Sequence, residues 1–158
     1  MNSIPRINYL ADRLRQEHWH HTVYRNHGRW SVIALLAHFV SAEIGSQQLL
    51  HEILFGKPGA ALNFDIDAFN ESEVTHLISR DHHELTLDFK TARALTVTLV
   101  ENMIAADLKR CGRHPWLGNA SLTRIIKLIY RHNQIHERDI RRALQNHEPS
   151  PATQEQIT

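Results

Sequence analysis

The stretch LIYRHNQIHERDIRRAL (residues 128–144) places apolar residues at the spacing of one face of an α-helix. Extended towards the N-terminus, this face comprises Ile125, Ile129, His132, His136, Ile140 and Ala143. Side chains four residues apart lie one above the other on a helix, so His132 and His136 point the same way, towards the interior. Because an unpaired buried imidazole costs free energy, two stacked rings on an apolar face require a partner.

Helical periodicity extends over most of the chain. It predicts a first helix from about residue 5 to about residue 24, with a stripe of Ile7, Leu10, Leu14, His18 and His21 that ends before Gly28. A second helix is predicted from Trp30 and Ser31 to Gly56. We expect the second helix to be well buried, because apolar residues surround much of its circumference.

The second half of the chain follows the same pattern. Asn70, with Glu73 three residues on, is predicted to cap a helical segment that reaches Gly112 and is broken near residues 80–87. Its predicted stripe consists of Phe89, Ala92, Leu95, Leu99, Met103 and Ala106. RHPWLGNA (residues 113–120) is predicted to be a turn, and Ser121 to cap a last helix that ends near Asn146.

These segments predict an all-α protein, a four-helix bundle with little or no sheet. Residues 1–147 are expected to form one domain and residues 148–158 a flexible tail. The balance of 18 basic and 17 acidic residues, net charge +1, gives no reason to expect nucleic-acid or membrane binding. A single cysteine, Cys111, excludes an intrachain disulfide, and with the polar N-terminus it fits a cytoplasmic protein, although an exported protein without disulfides would have the same cysteine content.

The composition stands out in its 13 histidines, and imidazole is the commonest metal ligand in proteins, but their number alone does not indicate a metal site. His132 and His136 could both reach one ion, and His38 on the stripe of the second helix offers a third ring beside the small Ala42 and Gly45. Ordinary core histidines satisfied by hydrogen bonds would give the same spacing. His18 with His21 is a rival pair, and His82 with His83 another, although neighbours on a helix point apart. Spacing alone does not choose among these sites.

Several segments together resemble the DinB/YfiT-like superfamily of metal-dependent proteins, over about residues 30–144. WSVIALLAHFVSAE (residues 30–43) is similar to the family's W…H…E segment, FDIDAFN and FKTAR to its middle, and RCGRHPWLGNASLTRIIKLIYRHNQIHERDI (residues 110–140) to its H-P…G…TL…H…H…I pattern. In that family three histidines bind a divalent metal inside a four-helix bundle. The resemblance implies that His38, His132 and His136 are the ligands here, in an up-down-down-up bundle that forms homodimers.

The resemblance assigns no clear role to the other polar residues. Glu43 and Asp139 are candidates to orient an imidazole, although a structural carboxylate is an equal interpretation. His18, His20 and His21 are interpreted as core or surface residues, His114 as part of a turn with Trp116 packed beneath it, and Cys111 as a structural thiol.

Three neutral histidines leave an open position on a four-coordinate ion, which is the pattern of catalytic rather than structural metal sites. Imidazole does not select strongly among Ni, Zn, Fe and Mn. The main hypothesis is therefore a metal-dependent enzyme acting on a small molecule, as a transferase of low-molecular-weight thiols or a hydrolase. The alternatives are a non-catalytic, metal-stabilised binding module connected with stress, and a metal-free bundle whose histidines pair by hydrogen bonds.

Overall fold

The computed structural model describes residues 10–25 and 30–146. Within them the chain forms four α-helices and one β-hairpin. The helices are α1 (Val32–Leu54), α2 (Ile66–Leu77), α3 (His82–Glu101) and α4 (Leu122–Asn146), and the antiparallel strands are β1 (Cys111–His114) and β2 (Gly118–Ser121). The predicted helical character and the number of four helices are confirmed for these residues, but the helices are not the four predicted, and the hairpin corrects the expectation of an all-α chain.

Helix α1 is the central element, and α2, α3 and α4 all pack against it. The Ser31 hydroxyl caps its start by accepting a hydrogen bond from the Ala34 N–H at 3.4 Å. Gly56, at a φ of 77°, lies just past its end in the left-handed region that favours glycine. Residues 32–41 are all buried, as predicted.

The predicted first helix is wrong over its described part. Only Leu10 and Ala11 are α-helical, and a single 3₁₀ turn follows at Gln16–His18. The carbonyls of Trp19 and His21 accept the N–H groups of Ile33 and Val32, both at 3.0 Å. The first turn of a helix cannot satisfy its own N–H groups. Residues 19–24, here called the strap, therefore cap α1, and these contacts between distant parts of the sequence stabilise the strap. The features predicted at Ile7, at Gly28 and in the tail after residue 147 lie outside the described residues.

Helices α2 and α3 replace the single broken segment predicted from Asn70. Asp65 caps α2 by accepting the Ala68 N–H at 3.0 Å, and Asn70 is buried inside the helix, so the predicted Asn70–Glu73 cap is wrong. Asp81 caps α3 through the His83 N–H at 2.8 Å. The break therefore lies at residues 78–81, at the N-terminal edge of the predicted interval.

The buried face of α3 differs in part from the predicted stripe. Its buried residues are Leu85, Phe89, Ala92 and Thr96. Phe89 and Ala92 agree with the prediction, whereas Leu95 is 57% exposed and Ala106 lies in an exposed segment beyond the helix. The helix ends at Glu101 rather than at Gly112, and a second 3₁₀ turn follows at Asp107–Lys109.

The hairpin occupies the segment that was predicted to be a turn. Gly112 packs so closely against Ile53 of α1 that a Cβ atom would overlap with that side chain. The backbone of Arg113 donates to the Pro58 carbonyl at 2.7 Å and accepts from the Ala60 N–H at 2.8 Å. The loop after α1 thus anchors the hairpin and places His114 beside the helices.

Helix α4 agrees with the prediction. The Ser121 hydroxyl accepts from the Arg124 N–H at 3.4 Å, and every residue of the predicted stripe is buried. This helix carries His132 and His136 into the interior opposite α1.

Candidate metal centre

The three histidines predicted as ligands converge on one point in the core. The Nε2 atom of His132 lies 2.9 Å from Nε2 of His38 and 3.1 Å from Nε2 of His136. The three rings are 2%, 9% and 0% exposed for His38, His132 and His136, respectively. The cluster joins two helices, since His38 comes from α1 and the other two come from α4.

Burial keeps these rings in the neutral form. Desolvation lowers the pKa of His132 to about 4, and it lowers the pKa values of His38 and His136 well below their usual range. His38 and His136 also resist a second proton because a charged His132 would repel them. Neutral imidazoles are the form that binds metal ions.

The far side of the His136 ring contacts Tyr24, a residue distant in the sequence, and Asp139 holds Tyr24 in turn. The Nδ1 atom of His136 lies 2.9 Å from the Tyr24 hydroxyl, which in turn donates to Oδ2 of Asp139 at 2.9 Å. Burial, together with the charge of Asp139, raises the pKa of Tyr24, so the hydroxyl keeps its proton. Because that proton goes to Asp139, the tyrosine oxygen accepts from Nδ1–H of His136.

The far side of the His132 ring is held by a second chain of contacts. Nδ1 of His132 lies 3.2 Å from Oδ1 of Asn133, and Nδ2 of Asn133 donates to Oε1 of Glu43 at 3.1 Å. Glu43 is 1% exposed and also accepts from the Thr96 hydroxyl at 2.7 Å. Its charge is balanced by an ion pair with Arg93 of α3.

Together these contacts fix the tautomers of two rings. With a proton on Nδ1, both His132 and His136 direct the lone pair of Nε2 towards the common point. Nitrogens that bind one Zn²⁺ at tetrahedral angles, with bonds of 2.0–2.1 Å, lie about 3.3 Å apart. The observed separations of 2.9 and 3.1 Å are close to this value, so the donor set fits a divalent cation.

The far side of the third ring, that of His38, is held by packing rather than by a hydrogen bond. The ring of Trp30 lies 4.9 Å from that of His38, centroid to centroid. Nδ1 of His38 is buried and has no hydrogen-bond partner among the described residues.

A cavity of about 490 Å³ adjoins the cluster. His38 and His132 form part of its wall, together with apolar side chains of the loop after α1, of α2 and of α4, among them Phe64, Phe69 and Ile129. Catalytic metal sites keep an open coordination position, and a cavity next to the ligands provides space for a molecule that would occupy it. The cavity therefore gives a small molecule a route to two of the three rings.

His114 also lines the cavity, and like His132 it has a defined tautomer. Its Nδ1 accepts the backbone N–H groups of Trp116 and Leu117 at 3.1 and 3.2 Å, which leaves the proton on Nε2. Burial lowers the pKa of His114 to about 4. The predicted turn role is correct, but Trp116 is 40% exposed and does not form a buried floor beneath the ring.

The rival histidine pairs form weaker arrangements. Both ring nitrogens of His18 contact Arg15, at 3.1 and 3.2 Å, so they do not form a site with His21. The rings of His82 and His83 lie 4.1 Å apart, which corrects the expectation that they point away from each other. With Asp81 they form a surface group, but Asp81 already caps α3. His20 and Cys111 are exposed.

Three residues of the centre were missed from the sequence: Tyr24, Asn133 and Arg93. Tyr24 lies 112 positions from His136, and no local pattern relates the two residues. Asn133 is adjacent to His132, so a polar residue next to a buried histidine was the one available signal. Glu43 and Asp139 were identified, and each acts on its histidine through an intermediate residue, Asn133 or Tyr24.

The fold and the site define a mainly helical protein of four helices with a buried three-histidine cluster that is compatible with a metal ion. None of the helices in the described residues is long and apolar enough to cross a membrane. No protein-family model matches the sequence, and no curated protein matches it either.

Proposed function

We propose that the protein is a metal-dependent enzyme in which His38, His132 and His136 bind one divalent cation beside a cavity for a small-molecule substrate. One observation carries the proposal: the buried Nε2 atom of His132 lies within hydrogen-bonding distance of Nε2 of both His38 and His136, and the opposite nitrogens of His132 and His136 are occupied by hydrogen bonds. Without a cation, the Nε2 lone pairs of His132 and His136, 3.1 Å apart, would face each other in a buried site. A bound cation removes this unfavourable arrangement.

The residues around the centre have distinct tasks in this proposal. Tyr24 and Asp139 orient His136, while Asn133 and Glu43 orient His132, and such partners raise the affinity of a site for its metal. His114 presents a neutral Nε2–H group to the cavity, where it can donate to an oxygen or sulfur atom of the substrate. Because its pKa is about 4, the ring stays neutral at physiological pH.

The bound cation would activate a water molecule or hold a substrate thiolate by lowering its pKa. Either chemistry requires an open coordination position and a route for the substrate, which the cavity next to His38 and His132 supplies. We therefore propose two alternative reaction classes, hydrolysis and transfer of a low-molecular-weight thiol to an electrophile. The donor set does not distinguish Zn, Ni, Fe and Mn.

Elemental analysis of tag-free protein tests the metal site. We expect about one divalent ion per chain, and loss of nearly all of it in the double variant H132A/H136A. H51A is the matched control, because His51 is an exposed histidine of α1. Equal metal content in the wild type and the double variant would reject the site. Ester hydrolysis and thiol conjugation assays on the metal-loaded protein then separate the two reaction classes.

A non-catalytic role for the metal is the second candidate. The ligands come from two helices, so a cation would cross-link the core and stabilise a module that binds a partner, for instance under stress. The cavity beside the ligands favours the enzyme. Metal binding without any turnover of hydrolytic or thiol-conjugation substrates would favour the module.

The resemblance to the DinB/YfiT-like superfamily supports the same proposal. The positions that it assigns to metal ligands, 38, 132 and 136, are the ones that converge. We include its further implications, an up-down-down-up helix order and a homodimer, as parts of the proposal, together with a cytoplasmic location. Light scattering in solution tests the dimer, and an experimental structure with the metal bound tests the helix order.

A further inference from the structure

The cavity beside the histidines extends along α1. Its wall includes His38, Ala42, Gly45, Leu49 and Glu52, which follow one another at the three- and four-residue spacing of a helix face. At a rise of 1.5 Å per residue, His38 and Glu52 are separated by about 21 Å along the helix. A cavity of about 490 Å³ that borders so long a face is elongated, and an extended chain fits it better than a compact ligand.

The charges along the wall have one sign. Its carboxylates are Glu43 and Glu52, and among the described residues that line it there is no lysine or arginine. Glu43 is neutralised by its ion pair with Arg93. The Glu52 side chain, in contrast, makes no hydrogen bond or ion pair with any described residue, although it is only partly exposed. Lys57 is nearby, and its backbone N–H donates to the Glu52 carbonyl at 2.8 Å, but its ammonium group makes no ion pair with the carboxylate.

Between its two ends the cavity is mainly apolar. Phe64, Ile66, Phe69 and Leu128 contribute to this middle part. The wall thus presents the rings of His38 and His132 at one end, an apolar middle, and the unpaired carboxylate of Glu52 at the other. A molecule complementary to it has a reactive polar head, an apolar chain and a positive charge at the far end.

We infer that the substrate is an elongated apolar molecule with a protonated amine at the end remote from the histidines, and that Glu52 recognises this amine. The inference rests on the proposed function, because it names the substrate class of the same site. It also narrows that function, since thiols or esters bearing free carboxylates would meet a negative wall without a counter-charge.

Calorimetric binding of three probes of equal length tests the inference. The probes are 1-aminodecane, 1-decanol and decanoate, each below its micelle concentration or, for the alcohol, its solubility limit, at pH 7.5, where the amine is charged and the carboxylate ionised. We expect the amine to bind roughly tenfold more tightly than the alcohol, as for one charged hydrogen bond, and the decanoate to bind most weakly. Shortening the amine should weaken binding about fourfold for each methylene removed.

Substitutions at Glu52 locate the recognition. E52Q should reduce the affinity for the amine to that for the alcohol and leave the alcohol unchanged, and E52K should reverse the preference in favour of decanoate. E101Q is the matched control, because it removes the same charge at an exposed position outside the cavity wall. Decanoate binding as tightly as the amine, or an amine preference that persists in E52Q, would overturn the inference.

The binding experiments are done on both metal-free and zinc-loaded protein. An amine preference in the metal-free protein stands even if elemental analysis rejects the metal site. A metal site without any amine preference leaves the proposed function intact and removes only this substrate class.

Discussion

The Nε2 atoms of His38 and His132 lie 2.9 Å apart, although 94 positions separate the two residues in the sequence. Both rings are buried, and burial lowers both pKa values, so neither ring carries a second proton at neutral pH. A shared proton could satisfy one such pair, but a third nitrogen, from His136, lies 3.1 Å from the same His132 atom. One cation satisfies all three nitrogens at once. Thermal melts with and without a chelator distinguish a bound cation from a shared proton.

Removal of the metal should destabilise the protein. If the free metal concentration is 100 times the dissociation constant, binding contributes about 2.7 kcal/mol to the free energy of unfolding. For a chain of this size a chelator should then lower Tm by about 5–10 °C. Thermal melts with and without the chelator measure the shift, and H132A/H136A should melt at a chelator-independent temperature. An unshifted wild-type melt would support the metal-free bundle held by histidine hydrogen bonds.

Substitution of Tyr24 by Phe should weaken metal binding by roughly 10- to 100-fold, the range found when the partner of a ligand histidine is removed. The substitution removes the oxygen that accepts from Nδ1 of His136 and the hydroxyl that donates to Asp139. Competition with a chromophoric chelator measures the affinity.

Y130F is the control for this variant, because Tyr130 is a tyrosine of α4 that is 52% exposed. It should bind metal as the wild type does. Equal affinities of Y24F and Y130F would show that the tyrosine contact does not orient His136.

The substitution E43Q should reduce the free energy of unfolding by about 3–5 kcal/mol, because it leaves the Arg93 charge buried without a counter-charge. The exposed fractions of the two side chains, 1% for Glu43 and 13% for Arg93, place this ion pair away from bulk solvent. Urea denaturation of metal-free protein measures the loss without a contribution from the cation. E71Q, at an exposed position of α2, should change stability little, and a similarly small loss for E43Q would contradict the buried-pair interpretation.

The sequence contains enough information for one half of the centre. The spacing of His132 and His136 on an apolar stripe predicts that both rings point inward, and the structure agrees. His38 could be selected over His18 and His21 only through the family resemblance, because all of them lie on plausible stripes. Tyr24 could not be predicted, since its position depends on a strap that caps α1 through backbone contacts distant in sequence.

The hairpin shows the same limit for the fold. Cys111–His114 has neither alternation nor β-branched residues, so local preference gives no strand. Its extended form depends on Gly112 fitting against Ile53 and on Arg113 pairing with the loop after α1. Local periodicity predicts helices with buried stripes, such as α1 and α4, but it does not report contacts of this kind.

The pH dependence of stability should reveal the buried state of His114. Its pKa in the folded protein is about 4, below the usual 6.5, so the unfolded chain binds its proton first as the pH falls. The contribution of this ring to stability is therefore complete above about pH 6.5 and is lost progressively as the pH falls towards 4.

In H114N the amide oxygen can still accept the N–H groups of Trp116 and Leu117, but nothing at this position titrates. Urea denaturation of metal-free protein between pH 7.5 and 4.5 should thus show a shallower decline for H114N, by at most about 1.4 kcal/mol per pH unit, the limit for one proton. The histidine cluster is present in both proteins and cancels in the comparison, apart from the effect of a charged His114 on the pKa of His132, which is the smallest of the causes that shift that pKa. H76N, at an exposed position of α2, should follow the wild type. Parallel curves for H114N and the wild type would contradict the low pKa and the fixed Nε2–H tautomer that the cavity wall requires.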